Sequence, residues 1–124
     1  MKYKLTERAN PQNRAEKKWY AAPVHDGRVT KIDISKEIVA MSSLSRGDVS
    51  NVIENLLEII PKYLLMGKSV SLGELGALRL SFTSDGVNNP DEFNVGMIKG
   101  ARVIFMPGVE LRDAIAGMKF EKGE

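Results

Sequence analysis

Basic side chains stand next to aromatic ones near the start of the chain, a combination suited to binding nucleic acid. Arg14, Lys17 and Lys18 lead directly into Trp19 and Tyr20. Lysine and arginine neutralise phosphates, and aromatic rings stack on exposed bases. The alternative interpretation is a solvated strand edge with Trp19 in the core. Either way, these residues must lie on an extended strand.

A second basic group falls on two strands predicted later in the chain. Arg79 lies on the first of them, and Lys99 and Arg102 lie on the other. Val103 and Phe105 alternate with these basic residues and point toward the core, because successive side chains of a strand face opposite ways. The basic side chains then either contact phosphates or serve as ordinary solvated residues.

The residue types and their spacing indicate neither a catalytic site nor a metal site. The chain has no cysteine, and His25, the single histidine, sits in a glycine turn without partners at ligand spacing. Gly67-Lys68-Ser69 resembles the end of a phosphate-binding loop, but position 62 is lysine and a helix precedes the strand, the reverse of that motif. The sequence therefore predicts no catalytic residue, no metal, no cofactor and no small-molecule substrate.

Composition favours one soluble domain with a modest core, which a dimer would enlarge. The chain has 124 residues, 43% of them hydrophobic, and a net charge of +2. Residues 1–34 carry eight basic and four acidic side chains, whereas the rest carries ten basic and twelve acidic ones, so the positive charge lies in the N-terminal part. Neither a membrane span nor the apolar core of a signal peptide is present, which predicts a cytoplasmic protein.

The N-terminal part is predicted to be β-structure. Residues 3–8 alternate as a strand does, residues 10–13 form a turn, and residues 21–24 continue extended. Residues 25–28 form a second turn, and residues 29–32 are predicted to be another strand.

A helical hairpin is predicted next. Asp33 is expected to cap a short helix, and Ser45 with Asp48 marks the start of a longer one whose apolar residues recur at three- and four-residue steps from Val49 to Leu64. Gly67 ends that helix. Its apolar surface is wider than a single small domain needs, which suggests that a second subunit covers it.

After the hairpin, the pattern predicts a short strand at residues 70–72, a glycine turn at 73–76 and a long strand at 77–82. Residues 83–94 are polar, acidic and turn-rich. A last helix is predicted at residues 109–116, and the charged tail 119–124 is expected to fray.

Two motifs in this region resemble the HU/IHF family of bacterial histone-like DNA-binding proteins. Residues 67–78 are similar to the family signature G-x-x-V-x-L-x-x-F-G-x-F, with Leu75 and Leu78 replacing aromatics. Residues 105–114 are similar to F-x-P-G-x-x-L-x-D-A. The resemblance covers about residues 33–118, and the preceding part looks like the N-terminal strand extension of a divergent HU-like branch from Bacteroidetes.

The resemblance implies an α+β fold, an HU-like intertwined homodimer with a helical hairpin, an antiparallel β-sheet with a β-arm, and extra N-terminal β-strands. It implies an N-terminal β extension over 1–32, an HU-like DNA-binding domain over 33–118 and a charged tail over 119–124. The implied function is architectural: largely sequence-independent binding of double-stranded DNA in the nucleoid. The predicted phosphate contacts are Arg14, Lys17, Lys18, Arg79, Lys99 and Arg102.

The arm departs from the family. Asn89 and Pro90 match the Asn-Pro at the family's arm tip, where proline wedges between base pairs; the other interpretation of Pro90 is a plain turn residue. Residues 81–98 contain no basic residue and carry Asp85, Asp91 and Glu92, which phosphates repel. The alternative function is therefore a protein-interaction or structural module that keeps the fold and has lost DNA binding.

Overall fold

The computed structural model describes residues 1–123, which form two three-stranded sheets and three α-helices. One sheet has the strand order β2-β1-β6 and the other the order β3-β4-β5. The predicted α+β class is confirmed. The strands are β1 Lys2–Asn10, β2 Asn13–Pro23, β3 Val70–Ser71, β4 Gly76–Ser84, β5 Ile98–Pro107 and β6 Glu121–Lys122, and the helices are α1 Lys31–Met41, α2 Arg46–Leu65 and α3 Val109–Ala116.

Helices α1 and α2 form the predicted hairpin, and each begins with a capping box. Ser45 Oγ accepts a hydrogen bond from the Asp48 amide at 3.1 Å, as predicted, and the Asp48 carboxylate accepts from the Ser45 amide at 3.3 Å. At α1 the cap is Thr30, and Asp33 supplies the reciprocal carboxylate. The predicted strand at 29–32 is therefore wrong, because the Thr30–Asp33 cap starts a helix there. The predicted boundary between residues 32 and 33 lies in the first turn of α1.

Helix α2 ends in a Schellman motif. Gly67 has φ of +80°, and the amides of Gly67 and Lys68 donate to the carbonyls of Leu64 and Tyr63. Glycine adopts this left-handed conformation without the steric cost that a Cβ brings. The chain then turns directly into β3.

A single chain buries very little apolar surface. Val49 and Leu64 are the buried hydrophobic residues among residues 1–123, whereas Val52, Leu56 and Leu57 on α2 are 44–60% exposed. A domain of this size needs a larger core to be stable. The apolar face of α2 is therefore unpartnered within the chain.

The two stretches that carry the family motifs meet in space. One turn of 3-10 helix, Gly73–Leu75, joins β3 to β4, and the Gly108 amide donates to the Leu75 carbonyl at 2.9 Å. A Cβ at Gly108 would collide with the carbonyl of Glu74. The Pro-Gly at the end of β5 thus packs closely against the glycine turn before β4. This close approach explains why position 108 is glycine.

The N-terminal sheet joins both ends of the chain. Strands β1 and β2 form an antiparallel hairpin, and β6 pairs in parallel with the start of β1. The tail predicted to fray is therefore ordered as far as Gly123, because its backbone bonds to β1. The two sheets share no strand.

Candidate nucleic-acid interface

A bulge in β5 determines which side chains share a face of the β3-β4-β5 sheet. Ser81 lies opposite Arg102, and Thr83 lies opposite Lys99, so Gly100 and Ala101 together face the single residue Phe82. Gly100 has φ of +69°, the conformation required at the first position of a glycine-type bulge. Residues three apart on a regular strand project to opposite faces. The bulge instead puts Lys99 and Arg102 on the same face.

Arg79 belongs to this face as well, since it lies two residues before Ser81 on β4. We call Arg79, Lys99 and Arg102 the β4–β5 basic face. The opposite face of the same ladder is apolar. It carries Leu78, Leu80, Phe82, Val103 and Phe105.

The three cations differ in their local partners. Lys99 Nζ lies 2.9 Å from Asp85 Oδ1, and both side chains are more than half exposed. Arg102 Nη1 donates to the Gly100 carbonyl at 3.3 Å. Arg79 is exposed and forms no ion pair within residues 1–123. Arg79 and Arg102 are thus available to an external anion, whereas the charge of Lys99 is partly neutralised by Asp85 of the arm.

The arm is a short loop closed by two single-turn helices. The β4–β5 ladder ends at the Ser84–Ile98 pair, and the 3-10 turns span Pro90–Glu92 and Val95–Met97. Asn89 Oδ1 accepts from the Asp91 amide at 3.4 Å, and Pro90 occupies the first helical position. The polar side chains of this segment bond to its own backbone. The segment therefore forms short turns, whereas the resemblance implies a ribbon of two paired strands. Asn89 and Pro90 are both exposed.

The predicted N-terminal basic cluster is split by the β1–β2 register. Arg8 lies opposite Lys18, whereas Lys17 lies opposite Ala9. Neighbouring residues of a strand project to opposite faces, so Lys17 and Lys18 do not act together. Arg14 lies on the irregular end of the hairpin, between the Ala9–Lys17 and Asn10–Asn13 pairs. Trp19 is 65% exposed, so the interpretation that places it in the core of this chain is wrong.

Sequence reasoning missed Arg8 and Lys4 as members of the face that carries Lys18. The Arg8 guanidinium carbon lies 4.6 Å from the centroid of the Tyr20 ring, a cation–π contact. Lys4, Thr6 and Arg8 alternate along β1, so their period of two was the available signal.

Other site chemistry is sparse in the described part of the chain. Residues 1–123 hold no group of three His, Asp or Glu side chains arranged for a metal ion. No helix there is long and apolar enough to cross a membrane. The pKa of Asp33 lies below its usual value, because the Thr30 amide and hydroxyl both donate to its carboxylate.

These features define a small HU-like domain with an additional N-terminal sheet. The family model described as an HU domain fused to wHTH, Ig, or glycine-rich motif matches residues 1–122. Over 93 residues the chain is 34% identical to the integration host factor subunit alpha of Haemophilus influenzae strains KW20/Rd and 86-028NP, covering 73% of this chain and 97% of each relative. The chain belongs to the HU/IHF family, and the predicted family and HU-like fold are confirmed.

A solved structure resembles the whole fold. The crystal structure of a candidate DNA-binding protein from Bacteroides vulgatus ATCC 8482 superposes with a TM-score of 0.58 at 20% sequence identity. The match covers 98% of this chain and 49% of that one, so this chain spans about half the length of that neighbour. The similarity extends through the N-terminal sheet, which the two motifs alone leave outside the family resemblance.

Proposed function

We propose that this protein is an architectural component of the bacterial nucleoid that binds double-stranded DNA as a homodimer, largely without reading base sequence. The observation that carries the proposal is the β4–β5 basic face. A glycine bulge places Arg79, Lys99 and Arg102 on one exposed side of a sheet whose other side is apolar. Family membership supports the same function.

The chemistry of this face suits phosphate more than base edges. Ser81 and Thr83 follow Arg79 on the same face of β4, directly opposite Arg102 and Lys99, and add hydroxyl groups. Arginine, lysine and hydroxyl side chains bond phosphate oxygens and so position a protein on the duplex without specifying sequence. Binding should therefore weaken steeply with salt and vary little with sequence.

The uncovered apolar surface supports the proposed homodimer. Val52, Leu56 and Leu57 on α2 are exposed in a single chain, as are Phe82 and Phe105 on the sheet. Burying such surface between two copies supplies about 25 cal/mol per Å² and would complete the core. A two-fold symmetric dimer also presents the basic face twice, once from each copy.

The arm contributes less to the proposed interface. Asn89 and Pro90 remain candidate DNA contacts at its tip, but Asp91 and Glu92 form the same 3-10 turn. Phosphate repels these carboxylates. We therefore assign the main contacts to the sheet, and propose the cytoplasm as the protein's location because the nucleoid lies there.

The test is a titration of the purified protein into a fluorescent duplex of about 30 base pairs at several salt concentrations, followed by anisotropy. The Arg79→Gln, Arg102→Gln variant removes two proposed contacts. It should reduce the slope of log affinity against log salt by about 1.8 for each protomer that contacts the duplex, at about 0.9 per phosphate. Affinity of the wild type that does not change with salt would contradict the mechanism.

One observation favours a second function, a protein-interaction or structural module. The Asp85 carboxylate neutralises Lys99 on the basic face. If DNA binding has been lost, the wild type will not bind the duplex even at low salt.

A further inference from the structure

We propose that the N-terminal sheet carries a second phosphate-binding surface for the same DNA, formed by Lys4, Arg8 and Lys18. We call it the β1–β2 basic face. The inference rests on the proposed function, since it extends the DNA footprint from the β3-β4-β5 sheet to a sheet that shares no strand with it.

The register places these three cations together. Lys4 and Arg8 alternate along β1 on the side where Arg8 lies directly opposite Lys18. Four residues of a strand span about 13 Å, a distance over which duplex DNA carries several phosphates at one charge per about 1.7 Å of axis. The β1–β2 basic face ends near Lys2, whose strand partner is the acidic Glu121.

The direct pairing of Arg8 with Lys18 is unfavourable unless an anion lies nearby. Like charges opposite each other on a sheet are destabilising. Within the chain the repulsion is only partly relieved, by the Tyr20 ring under Arg8 at 4.6 Å and by Glu16 at 3.8 Å from Lys18 Nζ. Lys18 and Glu16 are each 53% exposed, so water screens that ion pair. A DNA phosphate would compensate both cations.

The other face of the same sheet is less suited to bind phosphate. It carries Tyr3, Leu5 and Trp19, of which Leu5 and Trp19 are 47% and 65% exposed, and the acidic Glu7 lies directly opposite Trp19. Lys17 also projects from this apolar face, next to Lys18 in sequence but on the other side of the strand. The hairpin therefore supplies its own control residue.

The experiment compares Lys18→Gln with Lys17→Gln in the full chain, since each removes one exposed charge one residue apart. Lys18→Gln should lower the salt slope by about 0.9 for each protomer that contacts the duplex, so that the affinity lost between about 50 and 200 mM salt shrinks by about 3.5-fold per protomer. Lys17→Gln should leave the slope at the wild-type value. Adding Arg8→Gln to Lys18→Gln should lower the salt slope by about a further 0.9 for each protomer that contacts the duplex.

A gain-of-affinity variant guards against effects on folding. Glu16→Gln removes the acidic neighbour of Lys18 and should tighten binding, with unchanged circular dichroism. Equal slopes for Lys17→Gln and Lys18→Gln would overturn the second surface. If Arg79→Gln, Arg102→Gln still weakens binding in that case, the proposed function stands and only this inference fails; a wild type that binds no DNA overturns both.

Discussion

The Lys99 ammonium lies 2.9 Å from the Asp85 carboxylate, so the first residue of the acidic arm is tied to the basic face of the sheet. Thr83, directly opposite Lys99, donates its hydroxyl to the Lys99 carbonyl at 2.9 Å and holds the backbone beside this pair. The arm thus moderates the charge of the surface that we propose binds DNA.

Replacing Asp85 by asparagine should strengthen DNA binding. The variant frees Lys99 and should raise the salt slope by about 0.9 for each protomer that contacts the duplex. Stability should change by less than about 1 kcal/mol, because an exposed ion pair contributes little. Anisotropy titrations at several salt concentrations measure the slope. Asp91→Asn is the matched control, since it removes the same charge from the arm tip; an equal gain from both variants would show that the Lys99 pair has no special effect.

The bulge at Gly100 should be sensitive to a single methyl group. A Cβ there would lie 3.1 Å from Thr83 Oγ1 at φ of +69°, and a left-handed conformation costs a non-glycine residue about 1–2 kcal/mol. Gly100→Ala should therefore lower the free energy of unfolding by about that amount, measured by urea denaturation. Gly86→Ala meets no atom within 4 Å and serves as control. Equal losses of unfolding free energy in Gly100→Ala and Gly86→Ala would argue against the bulge geometry.

Stability should depend on the Asp33 carboxylate at acid pH. Hydrogen bonds from Thr30 lower the pKa of Asp33 in the folded protein. A lowered folded pKa means that the contribution is fully present above the unfolded pKa of about 3.9 and is lost as pH falls through the folded value.

Thermal unfolding of the wild type and Asp33→Asn between pH 6 and pH 2 measures this contribution. The difference in melting temperature should be largest at the upper end and shrink as the pH falls. Asp26→Asn, in the loop before α1, controls for the loss of one carboxylate. A difference that stays constant across the range would rule out the cap as its source.

Association should fail when a charge is placed on the exposed apolar face of α2. Leu56 is 44% exposed in one chain, and a glutamate there would be buried unpaired in the proposed dimer. Leu56→Glu should weaken association more than about 100-fold and lower the cooperativity of unfolding.

Sedimentation equilibrium measures that association, and Glu58→Gln on the same helix is the control. The wild-type melting temperature should also rise with protein concentration, as expected when folding and dimerisation are coupled. A Leu56→Glu variant that remains dimeric would place the interface elsewhere.

The helices were predictable because their signals are local. The three- and four-residue spacing from Val49 to Leu64 and the Ser45–Asp48 cap lie within one stretch of chain, and both are present in the structure. The cap of α1 was missed by three residues, since Thr30 and Asp33 can each serve as a cap and the true arrangement uses both.

The grouping of basic residues depended on partners that are distant in sequence. Lys99 and Arg102 share a face only because of a bulge whose register is set by β4, and no local pattern fixes that register. The pairing of Lys2 with Glu121 likewise joins the two ends of the chain. The separation of Lys17 from Lys18, in contrast, follows from strand alternation and was available from the sequence.

The parallel pairing of β6 with β1 has a mechanical consequence. Met1 donates to the Lys119 carbonyl at 2.8 Å, and the amides of Glu121 and Gly123 donate to the carbonyls of Met1 and Tyr3. Tension applied at residues 1 and 123 pulls the two parallel strands past each other, so it loads these bonds in shear and all at once. These hydrogen bonds between β1 and β6 must break before the applied force reaches the helices and the sheet between them.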